Sequence, residues 1–143
     1  MQITTKQRTI GYWTATGLTA LAFAAGGAID LAGGDEMRAG MAHLGYPAYV
    51  MTILGVWKLL GAAAIVAPRL PRLKEWAYAG MMFDLTGAAA SHAWSGDPVG
   101  KIATPLVLLA VVAASWALRP ASRTLRAVEA VPAPAQQPVL RAA

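Results

Sequence analysis

The chain has 143 residues, of which 57% are hydrophobic and only 13% charged, and its formal net charge is +5. Soluble domains carry about 25% charged residues, so this composition excludes an ordinary water-soluble domain and points into a membrane. The absence of cysteine excludes disulfide staples, thiolate nucleophiles, iron–sulfur ligation and thiol relays. The excess of basic residues lies beside apolar runs, where sidedness in a membrane explains it without nucleic acid.

Residues 1–9 are polar and carry Lys6 and Arg8. The first apolar run extends from Ile10 to Leu31. Its start resembles a signal peptide, but three further runs follow, so a retained first span is expected. Ala20, Ala24 and Ala28 recur every fourth residue, a spacing at which small side chains let helices approach in lipid. The segment GGDEMRAGMAHLG, residues 33–45, places Met37, Met41 and Leu44 on one helical face. It predicts a short amphipathic helix on the membrane surface, capped by Asp35 and stopped at Gly45.

The second span is predicted over Ala48–Ala67 with Lys58 at its centre, and Pro68 ends it. PRLPRLK then makes a tight basic turn, and the third span runs from Glu75 to Trp94. SGDPVG turns the chain into a fourth span, Lys101–Leu118, whose interior is uncharged. Residues 119–143 are basic and rich in proline and alanine, a composition that predicts a disordered tail. The expected domain division is thus an N-terminal segment 1–9, a membrane domain 10–118 and a tail 119–143.

Four spans place Lys6, Arg8, Arg69, Arg72, Lys74, Arg119, Arg123 and Arg126 on one side. The positive-inside rule then predicts that both termini and the PRLPRLK turn are cytoplasmic. Aromatic residues mark the two interfaces: Tyr12, Trp13, Trp76, Tyr78 and Trp116 inside, Tyr46, Tyr49 and Trp94 outside.

Charged residues inside spans are the functional candidates, because each costs roughly 2.5–3.5 kcal/mol to insert and so faces a partner or a polar cavity. Lys58 and Asp84 both fall roughly 14 Å from the inner ends of their spans, at ~1.5 Å per residue. A Lys58–Asp84 pair between neighbouring antiparallel helices is the favoured arrangement; separate partners, or a Lys58 snorkelling to the interface, are the rivals. Ser91 and His92 follow Asp84 by two turns on one face, and Asp30 closes the first span at that outer level. Asp30, Lys58, Asp84, Ser91 and His92 are therefore candidates for a ligand site or proton relay, with Asp30 equally readable as an interfacial loop residue. No metal-ligand spacing, phosphate loop or nucleophile motif is present, so neither a metal nor a catalytic residue is assigned.

Several marks resemble the DoxX-like family of small four-helix membrane proteins. They are LGYP at 44–47, Lys58–Leu59–Leu60–Gly61, Lys74–Glu75–Trp76–Ala77 with Tyr78, Asp84, Ser91–His92 and Gly96–Asp97. The resemblance spans Gly11 to Leu118 and implies a bacterial, multi-pass plasma-membrane protein linked to membrane redox complexes. The expectation is an all-α, four-helix transmembrane bundle with a short amphipathic surface helix between spans one and two. Its expected role is that of an accessory subunit with redox-complex partner proteins, whose polar centre binds a quinone or a lipid head group. A small proton-coupled transporter and an integral-membrane enzyme using the same residues are the alternatives.

Overall fold

The computed structural model describes residues 4–125. It is helical throughout: α1 (Thr5–Ala32), α2 (Asp35–His43), α3 (Tyr49–Val66), α4 (Pro71–Trp94) and α5 (Val99–Ala117). Each boundary has a local cause. Thr4 and Gln7 form a reciprocal capping box that starts α1. Gly33, in the left-handed conformation at φ 63°, ends it by donating its N–H to the Ile29 carbonyl. Gly34, not the expected Asp35, is the N-cap of α2 and no side chain caps it; Asp35 and Glu36 instead fill the first turn, where carboxylates suit the helix dipole. Pro71 is the first residue of α4, four residues ahead of the predicted start.

Four helices form a ring in which α1 packs on α3 and α5, and α4 packs on the same two helices. Successive members run antiparallel. One end gathers the start of α1, the α3–α4 turn and the end of α5, and Arg8 Nη2 there donates to the Arg119 carbonyl at 3.2 Å. This is called the basic end below; the opposite end carries α2. The core comprises Phe23, Ala62, Ile65, Tyr78, Met81, Leu85 and Val112. Many large apolar side chains point outward, with Trp94 95%, Trp76 79%, Val99 78% and Phe83 77% exposed. Such a surface suits hydrocarbon, where packing between helices rather than water exclusion holds the bundle.

Helices α1, α3 and α5 are long and apolar enough to cross a membrane. Helix α4 has 24 residues, ample length, but Lys74, Glu75, Asp84 and His92 dilute its apolar character. It completes the ring as the fourth member of the bundle.

Other local expectations also differ from the structure. Tyr12 and Tyr78 point inward, 0% and 1% exposed, instead of marking an interface. Their hydroxyls find partners there: Tyr78 bonds Ser115 Oγ at 2.7 Å, Ser115 bonds Thr16 Oγ1 at 2.7 Å, and Arg123 Nη1 donates to Tyr12 at 3.3 Å. Of the alanine stripe on α1, Ala20 and Ala24 are partly buried, but Ala28 is exposed. The tail expected from residue 119 onward begins with an ordered stretch, because Arg119 and Arg123 are tied to the bundle and Ala121–Arg123 form a single 3-10 turn. The remainder of that predicted tail, including Arg126, lies outside the described residues.

Candidate functional site

The helix crossing that builds the polar centre rests on two glycines. A Cβ at Gly27 would lie 2.8 Å from the Gly55 carbonyl oxygen, and a Cβ at Gly55 3.0 Å from that of Gly27. Only hydrogen fits at these points, so α1 and α3 approach backbone to backbone. One turn beyond Gly27, Asp30 is turned onto α3, and Lys58 lies one turn beyond Gly55. Lys58 Nζ donates to Asp30 Oδ2 at 2.8 Å, and Asp84 Oδ2 lies 3.9 Å from the same nitrogen.

Lys58 therefore sits between two carboxylates. The favoured pair, Lys58 with Asp84, is an ion contact at 3.9 Å, while the hydrogen bond goes to Asp30. Asp30 is no loop residue: it lies in the last turn of α1 and is 8% exposed. Its position completes the buried stripe Tyr12, Thr16, Thr19, Phe23, Gly27 and Asp30, spaced at three and four residues. The arrangement can hold an ammonium at bilayer depth, because each opposite charge offsets desolvation of the other.

Between α3 and α4 lies a groove of about 730 Å³ that opens on the outer face of the bundle. Small residues create it, since Gly61 and Ala64 on α3 face Ala77 and Gly80 on α4. Phe23 and Met81 also line it, with Trp57 and Trp76 near its mouth, and Lys58 and Asp84 are its ionisable lining residues. The volume is that of a small-molecule site, apolar with two convergent polar groups.

Ser91 and His92 are engaged elsewhere, at the α2 end. Tyr46 Oη and Ser91 Oγ are 2.8 Å apart. His92 Nδ1 lies 2.8 Å and His43 Nε2 3.2 Å from the same oxygen of Asp97, while Lys101 Nζ bonds the other at 3.2 Å. The His92 bond foremost, then Lys101 and His43, lower the Asp97 carboxyl to about 2. This cluster fastens α2 and both adjoining turns to α4. Asp97, Tyr46 and His43 were not among the candidates from sequence; SGDPVG reads as a turn, and nothing in it names a histidine 54 residues away.

At the basic end, Lys74 has a structural role that its basic character does not reveal. Its ammonium donates to the carbonyls of Ala64 at 2.7 Å and Ile65 at 3.1 Å, and to that of Ala67. It thereby closes the C-terminus of α3, whose last carbonyls have no partners within the helix. Arg119 Nη1 lies 2.8 Å from Glu75 Oε1, and its guanidinium covers the Tyr78 ring at 5.0 Å.

No curated protein and no solved structure matches the chain. The family pattern of the DoxX-like family matches residues 14–115, which hold α3 and α4 whole, most of α1 and α5, the triad of Asp30, Lys58 and Asp84, and the groove. This is a membrane protein of helical-bundle type, and the chain belongs to the DoxX-like family.

Proposed function

We propose that the chain is an accessory subunit of a bacterial plasma-membrane complex, redox-related in character, and that its α3–α4 groove binds a small amphiphile. The head group, of a quinone or lipid-like molecule, meets Lys58 and Asp84, and the tail lies along the apolar lining. The observation that carries this reading is the placement of an ammonium and a carboxylate at the head of an otherwise apolar groove. Intramembrane charges of this kind mark binding or conduction sites. Ser91 and His92 support a relay less well, because both are already bonded to other groups. In this reading the termini and the α3–α4 turn face the cytoplasm, as the basic residues there favour.

The test is mass spectrometry of small molecules retained after purification in mild detergent. Gly80 lines the groove, and a Cβ there meets nothing within 4 Å. Gly80→Leu therefore adds an apolar side chain to the groove, and its Cβ meets no neighbouring atom. A lipophile retained by the wild type and lost from Gly80→Leu is the expected result. Equal retention by both proteins would place the ligand elsewhere.

A further inference from the structure

The two ionisable groups in the groove are unequally satisfied. Lys58 gives one N–H to Asp30, and an ammonium carries three. Among the described residues Asp84 accepts no hydrogen bond, for its 3.9 Å separation from Lys58 Nζ is beyond hydrogen-bonding range. The groove thus presents a donor and an acceptor 3.9 Å apart that are in ion contact but, among the described residues, not hydrogen-bonded on that side.

Building on the groove reading above, we propose that the ligand is a lipophile with an uncharged hydroxyl head. Its oxygen accepts from Lys58 Nζ and its O–H donates to an Asp84 oxygen. An oxygen about 2.8 Å from each atom bridges the gap with neither side chain moving. Other heads fit less well. A head bearing only carbonyl oxygens can accept from Lys58 but leaves Asp84 without a donor. A carboxylate or phosphate faces two aspartates, and an ammonium faces Lys58. A phospholipid whose phosphate stays at the membrane surface would lay hydrocarbon against the charged pair, which desolvates both groups without replacing their contacts.

The experiment uses the full chain in nanodiscs, with decylhydroquinone, the corresponding decylquinone and dodecanol as probes, under argon. Decylhydroquinone is expected to bind at least about tenfold more tightly than decylquinone, the consequence of one unmet buried acceptor. Dodecanol distinguishes the sources of the same chemistry. If it binds as well as decylhydroquinone, an aliphatic alcohol suffices; if only decylhydroquinone binds, the natural ligand is quinol-like; either result supports the hydroxyl. Equal or tighter binding of decylquinone overturns the proposal and leaves the groove reading standing. Failure of all three probes, with no difference between wild type and Gly80→Leu, overturns both.

Asp84→Asn supplies the second readout. Its amide donates as well as accepts, so the preference for decylhydroquinone should fall towards equality while binding persists. A folded Asp84→Asn that keeps the full preference sinks the proposal. Should Asp84→Asn fail to fold, Gly80→Leu must weaken the binding of decylhydroquinone and decylquinone alike, and unchanged binding in it counts against the site.

Discussion

Arg69 and Leu70 both adopt the left-handed conformation, at φ 58° and 56°, in the turn between α3 and α4. Neither is glycine, so each costs about 1–2 kcal/mol, and something must hold the turn closed. Lys74 does this by bonding three carbonyls at the end of α3. Lys74→Met keeps the apolar stem and removes the donors, leaving those carbonyls unmet. The expected cost is about 1–3 kcal/mol, read as a lower thermal midpoint in detergent. A lone sequence shows that Lys74 is basic and near a turn; which carbonyls it meets depends on how that turn folds. Asp97 gives a second residue-level prediction. Its carboxyl is depressed from 3.8 to about 2. A depressed acid contributes stability that is complete above its unfolded value and lost as pH falls through its folded one. Protection of α2 amides, corrected for intrinsic exchange, should therefore be unaffected by Asp97 titration from pH 5 to 8, on the basis of that same shift. Asp97→Asn should lose it several-fold at every pH in that window, measured by hydrogen exchange in nanodiscs.

The helices themselves follow from runs of apolar residues bounded by proline, glycine and charge, which is why their extents were readable. The buried stripe of α1 was also present in the spacing of Tyr12, Thr16, Thr19, Phe23, Gly27 and Asp30. It is less conspicuous than the alanine repeat, since a stripe of mixed size and polarity stands out less than one of identical residues. What no single helix contains is its partner. Gly27 is one of 14 glycines, and only the crossing with α3 separates it from Gly17, whose added Cβ would meet nothing within 4 Å. The two positions form a matched test. Gly27→Ala forces α1 off the Gly55 carbonyl, at a cost of about 1–3 kcal/mol. It should also weaken the Asp30–Lys58 bond, because that contact exists only at the close crossing. Gly17→Ala should be neutral or stabilising by up to ~1 kcal/mol through reduced chain freedom. Thermal midpoints of the two variants, compared side by side, check this; equal behaviour would remove the glycine crossing from the account.

At the scale of the molecule, sidedness and the crossing of α4 are one question. Lys6, Arg8, Arg69, Arg72, Lys74, Arg119 and Arg123 gather at one end, while Asp35, Glu36, Arg38, Asp97 and Lys101 lie at the other. Helix α4 joins the two ends, although its polar residues set it apart from the three more apolar helices. Alone, its Asp84 would add roughly 2.5–3.5 kcal/mol to insertion. Inside the ring, Lys58 stands 3.9 Å from that carboxylate and Asp30 holds Lys58, so the triad is what makes a polar α4 compatible with lipid. The natural sequence has no cysteine, which permits single-cysteine mapping without background. Arg72→Cys and Gly100→Cys bracket α4. In intact cells a membrane-impermeant maleimide should label Gly100→Cys, and should reach Arg72→Cys only after permeabilisation. Removing the triad's cation with Lys58→Met should lower the fraction of chains that give this pattern, because α4 then enters with an uncompensated carboxylate. Labelling of both positions from the same side would mean that α4 lies along the membrane, and the groove between α3 and α4 would then open to water instead of lipid.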